Sequence, residues 1–126
     1  MKLGPHVIES VSAAAMHDIA LVLDDPNPIH LDRDLVRRLG MGDREINQGP
    51  ANCSYVVNML RAEFADATIA RLSFRLLGNV FAEDRAVAGG EVLSESAEAI
   101  ECRVWLDVEG RGRVVDGSAT IRPNIR

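Results

Sequence analysis

The sequence predicts an α+β fold in which one antiparallel sheet curls around a single central helix. Three observations carry that expectation. Apolar residues recur with helical spacing up to about Thr68 and alternate one by one after it. Residues 50–64 form the only apolar-faced helix long enough to fill the inner side of a sheet. The order of segments is a short strand, a helix, a loop, the central helix and then consecutive strands.

The elements follow in chain order. Residues 7–9 read as a short strand. Ser12 is the N-cap of a helix over residues 13–23, with Ala15 rather than Glu at the third position, so the capping box is incomplete. Asp32 starts a short helix that Gly40 stops near Leu39, and Arg37 and Arg38 suit the negative end of its dipole. Pro50 belongs in the first turn of the central helix, where its missing N–H has no intrahelical partner to lose. Cys53, Val56, Val57, Leu60 and Phe64 form that helix's apolar face, and Tyr55 and Met59 add apolar surface elsewhere. In the strands, Leu72, Phe74 and Leu76 oppose Arg71, Ser73 and Arg75. Ile100, Cys102, Val104, Leu106 and Val108 oppose Glu101, Arg103 and Asp107, and Val115, Ala119 and Ile121 share a face. Glu109-Gly110-Arg111-Gly112 is a hairpin signal. One-sided alternation means an antiparallel sheet with one face on a core. A sheet wrapped around one helix is the hotdog architecture.

The 126 residues suit one domain spanning 1–126. The composition, 47% hydrophobic and 26% charged, is that of an ordinary soluble chain. The longest apolar run, Ile19 to Leu23, is too short to span a membrane. Residues 1–6 lack an apolar signal core, so a cytoplasmic protein is expected. Cys53 and Cys102 lie far apart in apolar patterns and read as reduced, buried thiols. No His and Cys cluster has ligand spacing, so no metal is expected. A net charge of −5 and a pI near 5.1 argue against nucleic acid.

Asp25-Pro26-Asn27-Pro28-Ile29-His30 is the segment with chemistry in it. Each proline fixes its own φ and pushes the residue before it into extended backbone, so Asp25 and Asn27 are held extended. A carboxylate and an imidazole at the ends of a stiff loop suit proton transfer near neutral pH. The same residue types also build ordinary rigid turns.

Residues 23–32, Leu-Asp-Asp-Pro-Asn-Pro-Ile-His-Leu-Asp, resemble the Asp-x-Asn-Pro-(Leu/Ile/Val)-His-x-Asp signature of the MaoC-like dehydratases, the (R)-specific enoyl-CoA hydratase family. A second element of that family, His-Gly-Met with a Ser five residues past the Gly, is matched in part. Gly49 and Ser54 agree, while Gln48 replaces the His and Pro50 the Met. Residues 79–84, Asn-Val-Phe-Ala-Glu-Asp, are similar to the family's Pro-Val-Phe-x-Gly-Asp, with Glu83 in place of Gly. Asp24 is likewise an acid where the family has Gly. The resemblance runs from about Val7 to Ile121.

The resemblance implies a hotdog enzyme, a lyase that adds water across a 2-enoyl thioester or removes it from a 3-hydroxyacyl thioester. Its substrate would be an acyl-CoA or an acyl carrier protein thioester, with no metal or organic cofactor. Asp25 and His30 would handle the protons. Gly49, at the positive end of the central helix, would donate its N–H to the thioester oxygen. Gln48 would help shape that part of the site. Ser54 would hold the carboxylate of Asp25, although a serine there can equally bond back to its own helix. Asn27 and Pro28 would support the loop.

His6 and His17 read as surface residues. Arg71, Arg75 and Arg85 either face the anionic carrier or lie on a solvated strand face. Family members join two sheets edge to edge, so a homodimer is expected, and a heterodimer with a second hotdog chain is the alternative. A hotdog thioesterase or a purely acyl-binding domain fits the Asp-His loop less well.

Overall fold

The computed structural model describes residues 1–124. Five strands form one antiparallel sheet: β1 (Lys2–Ile8), β2 (Ala67–Leu76), β3 (Ala86–Glu95), β4 (Ile100–Val108) and β5 (Gly112–Pro123). Their order across the sheet is β1-β3-β4-β5-β2, so β1 and β2 are its edges. Helices α1 (Ala13–Leu23), α2 (Arg33–Arg38) and α3 (Gly49–Glu63) lie between β1 and β2 in the chain. Of these, α3 packs along the inner face, touching β1, β2, β3 and β4. This is the curled sheet around one helix that the change of period predicts.

The core is the meeting of that helix with the inward side of the strands. Val56, Met59 and Leu60 are buried against Leu3, Ala88, Val104, Leu106, Val115, Ala119 and Ile121. The alternation in β4 is borne out, with Cys102, Val104, Leu106 and Val108 buried and Glu101 and Arg103 exposed. Ser12 caps α1 by accepting from the Ala15 N–H at 3.0 Å. Asp32 caps α2 by accepting from the N–H groups of Asp34 and Leu35. The hairpin turns through Gly110 at φ +84°, a left-handed position that suits glycine. Among the described residues no helix is long and apolar enough to cross a membrane.

Four expectations need correction. β1 begins at Lys2, well before residue 7, because it pairs with the full inner run of β3 from Ala86 to Glu91. The buried face of α3 is Ala51, Asn52, Val56, Met59 and Leu60, which leaves Cys53 and Val57 half-buried. The helix is rotated because a polar residue, Asn52, has a partner inside the fold. Cys102 is buried as expected and Cys53 only partly so, both as free thiols that burial pushes up in pKa. Finally, Leu72 and Leu76 are 37% and 57% exposed, although they share a face with the packed Phe74. Helix α3 meets β2 only in places, Gly49 beside Leu76 among them, so Phe74 and Ile69 pack against the core while Leu72 and Leu76 stay partly open.

Candidate active site

The loop after α1 is built by its own side chains. Asp24 ends the helix in left-handed backbone at φ +50°, its N–H bonded back to Leu21. Asp25 then accepts the Asn27 N–H on Oδ1 at 3.2 Å, and Asn27 accepts the Ile29 N–H on its own Oδ1 at 3.3 Å. These two side-chain turns, with the prolines between them, lead into a single 3-10 turn, Pro28–His30. The sequence predicts the stiffness; the helical turn at its end is a refinement. Asn27 caps this turn and Pro28 opens it.

His30 is 8% exposed and anchored from the other side of the site. Its Nδ1 lies 2.6 Å from the carbonyl oxygen of Ile46. A carbonyl only accepts, so Nδ1 carries the proton and Nε2 is left to work. Nε2 stands 3.4 Å from Asp25 Oδ2, the carboxylate oxygen that the Asn27 turn leaves free. In the neutral ring, Nε2 and Oδ2 are two acceptors facing each other, and one water molecule can donate to both. In the protonated ring they form an ion pair. Asp25 also lines an open cleft of about 320 Å³ with His17, Ala20, Leu21, Asp24, Pro26 and Leu31. A cleft of about 360 Å³ at the far end of α3 contains only Arg61 among titratable groups and has no acid–base pair.

The segment that anchors His30 also carries the helix N-terminus. The Ile46 N–H donates to Ile29 at 2.9 Å, so Ile46 grips the 3-10 turn through both its backbone groups. Three residues on, Gly49 opens α3, one residue earlier than Pro50. No protein acceptor takes the Gly49 N–H among the described residues, and Pro50 has no N–H to offer. A Cβ on Gly49 would lie 3.0 Å from Leu76 Cδ1, so glycine is also the residue that lets β2 approach here.

Gln48 and Ser54 both bond within the protein. Gln48 is 1% exposed and its Nε2 donates to the Met16 carbonyl at 2.8 Å, tying α1 to the start of α3. Its remaining oxygen, Oε1, is a buried acceptor without a partner and cannot serve an oxyanion. The Ser54 hydroxyl donates to the Ala51 carbonyl at 2.6 Å, so it takes the bond back to its own helix and leaves Asp25 to the Asn27 turn.

Two ionic clusters brace the loops. The carboxylate of Asp84, 6% exposed, accepts from Arg44 at 3.1 Å, from Arg111 at 2.6 Å and from the Phe81 N–H at 2.7 Å. Both guanidiniums also sit over the Phe81 ring. Burial pushes the Asp84 carboxyl up in pKa, but the hydrogen bonds from Arg111 and Phe81 and the two positive charges together hold it below the ordinary range. Nearby, Arg33 bridges Glu45 and Glu83. Glu83 has φ +73°, and Asp24 is left-handed too. Both acids therefore occupy positions whose backbone favours glycine.

Among the remaining candidates, Arg85 is engaged by Glu9 and Glu109. Arg71 and Arg75 are exposed on β2 with no acidic partner among the described residues. Sequence reasoning missed the Ile46 carbonyl, because a backbone acceptor leaves no residue signature. It also missed a buried amide network. Asn47 donates through Nδ2 to Asn52 Oδ1 at 2.8 Å and to Tyr55 Oη at 3.2 Å. An Asn five residues ahead of another, spanning a helix start, was the available clue.

No family model and no curated protein matches the chain. Solved structures do. The (R)-hydratase PhaJ1 from Pseudomonas aeruginosa superposes with a TM-score of 0.87 at 18% identity, over 100% of this chain and 81% of that one. The (R)-hydratase from A. caviae involved in PHA biosynthesis gives a TM-score of 0.87 at 22% identity, over 98% and 95%. A chain of the ChsH1-ChsH2 complex from Mycobacterium tuberculosis gives 0.85 at 18% identity, over 98% and 96%. Such likeness at low identity shows the fold, a hotdog.

Proposed function

We propose that the chain is an (R)-specific 2-enoyl thioester hydratase, or in reverse a 3-hydroxyacyl thioester dehydratase, acting on acyl-CoA or acyl carrier protein thioesters in the cytoplasm. The observation that carries the proposal is the arrangement around His30. One ring nitrogen is fixed by Ile46, and the other faces the free oxygen of Asp25 at 3.4 Å. The fold likeness to (R)-hydratases and the signature of residues 23–32 support the same reading.

In hydration, water held between Asp25 and His30 loses a proton to one of them as its oxygen bonds to the β-carbon. That same proton, kept by the group that took it or passed across the short gap to the other, is then delivered to the α-carbon, which leaves both groups as they began. Charge gathers on the thioester oxygen during this step, and the Gly49 N–H at the positive end of α3 is the open donor for it.

Purified protein incubated with a panel of 2-enoyl-CoA thioesters should consume the enoyl absorbance, and water addition should give the (R)-3-hydroxy product. No turnover of any enoyl thioester, alone or with a second hotdog chain, would sink the reading.

A second reading is a subunit of a heteromeric dehydratase. It is favoured by the exposed leucines of the β2 edge and by the likeness to a chain of the ChsH1-ChsH2 complex. Strand β2 is a ten-residue edge with Leu72 and Leu76 exposed, and an edge of that length calls for pairing. Sedimentation should find a homodimer, and Leu76→Arg should shift it toward monomer. An active wild-type monomer would contradict both assemblies, and turnover only after a different hotdog chain is added would select the second.

A further inference from the structure

The cleft beside Asp25 has walls that the proton chemistry does not use. His17, Ala20 and Leu21 stand at i, i+3 and i+4 in α1, so they bring one face of that helix to the cleft. Pro26 and Leu31 add apolar surface from the loop and from the end of the 3-10 turn. Ala20 is 8% exposed and lies at the base, while Leu21 is 82% exposed on the rim. Leu21 therefore leaves most of its apolar surface to whatever occupies the cleft.

The order of atoms in a thioester says which part of it belongs here. Carrier, thioester carbon, α-carbon, β-carbon and tail follow one another. In the proposed mechanism the thioester oxygen meets the Gly49 N–H and the β-carbon meets the Asp25–His30 pair. The tail then leaves the pair on the side away from Gly49. Asp25 belongs to the lining of the cleft and Gly49 does not, which puts the cleft on the tail's side. Charge points the same way. Asp24 and Asp25 set two carboxylates against the single imidazole of His17, a balance that disfavours the phosphates of a carrier.

We infer that the cleft along α1 is the acyl subsite, that it takes an uncharged apolar tail, and that Ala20 and Leu21 set how well the tail is held. This rests on the hydratase reading. The volume of about 320 Å³ is at the small end for a ligand pocket. His17 ends the apolar stretch one turn before Leu21. Affinity should therefore rise with tail length while Ala20, Leu21, Pro26 and Leu31 are being covered, and then level off.

The test is binding, measured by calorimetry, of saturated acyl-CoA thioesters of increasing length, starting from acetyl-CoA. Each added methylene should tighten binding about two- to fourfold until the walls are covered, the scale of burying a CH₂ in part or in whole. Ala20→Phe fills the base of the cleft and should erase that gain. Leu21→Ser removes a wall and should reduce the gain of the best chain over acetyl-CoA by about fivefold, the scale of losing part of a leucine contact. Residue 21 is exposed, so Leu21→Ser keeps the readout should Ala20→Phe fail to fold. In both variants acetyl-CoA should bind as it does to the wild type. A flat length profile in the wild type, or a rising one that Leu21→Ser leaves unchanged, overturns the inference. So does an equal loss for acetyl-CoA and longer chains, which would mean that the cleft holds the carrier's arm. Saturated thioesters do not react, so enoyl turnover decides the hydratase reading independently.

Discussion

Asp25→Asn and His30→Ala are each expected to lower turnover of enoyl thioesters by about 10²–10⁴-fold, the usual worth of a positioned acid or base. Asp25 Oδ2 and His30 Nε2 stand 3.4 Å apart, and in the proposed mechanism removing either breaks the pair that holds the water and handles its proton. The asparagine keeps an Oδ1 that can accept the Asn27 N–H, so the loop should hold its shape. Circular dichroism and urea midpoints should therefore stay near those of the wild type while kcat falls. Asp24→Asn is the control. Its backbone is left-handed, which asparagine also tolerates, and it is not the carboxylate that meets His30. Near-normal rates in either active-site variant would remove that residue from the mechanism, and a damaging Asp24→Asn would mean the wrong aspartate has been assigned.

The largest loss of stability is expected at Asp84. Asp84→Asn removes the charge that Arg44 and Arg111 share, and it leaves two guanidiniums stacked on Phe81 without a counterion. The cost should be roughly 3 kcal/mol, toward the low end for breaking a buried pair because both arginines keep some access to water. It would be seen as a lower urea midpoint with an unchanged slope. The pH dependence has a definite sign. The folded carboxyl lies below its ordinary value of 3.8, so its contribution is fully present above that pH. It is lost as pH falls from there through the lower folded value. Wild-type protein should lose stability in that acid window, and the asparagine variant should lose less. A variant as stable as the wild type at neutral pH would show that the cluster braces nothing.

Much of this was legible in the sequence because it depends on local rules. Period two in β4 and β5 fixed which side of the sheet is inside, since each strand residue alternates faces. Ser12 and Asp32 declared two helix starts. Pro26 and Pro28 declared the stiff loop. What was not legible depends on contacts between distant segments. The rotation of α3 follows from Asn47 meeting Asn52, and the exposure of Leu72 and Leu76 from where α3 runs relative to β2. Alternation alone cannot tell a covered inner face from an uncovered one. The site divides the same way. The candidates Asp25, His30 and Gly49 stand out by type and spacing. The placement of Gln48, one of whose amide N–H groups donates to the Met16 carbonyl, is set by a helix 32 residues away in the chain.

The Ile46 carbonyl has a consequence for how such a site can change over generations. A catalytic histidine is often oriented by a carboxylate side chain, and a single codon change can delete that carboxylate. Here the orienting group belongs to the peptide backbone, which every amino acid supplies. Residue 46 is free to drift among apolar types as long as the 2.9 Å bond from its N–H to Ile29 keeps this segment in place. Selection on the proton chemistry would then leave no mark at that position, and lineages could diverge widely around an unchanged tautomer.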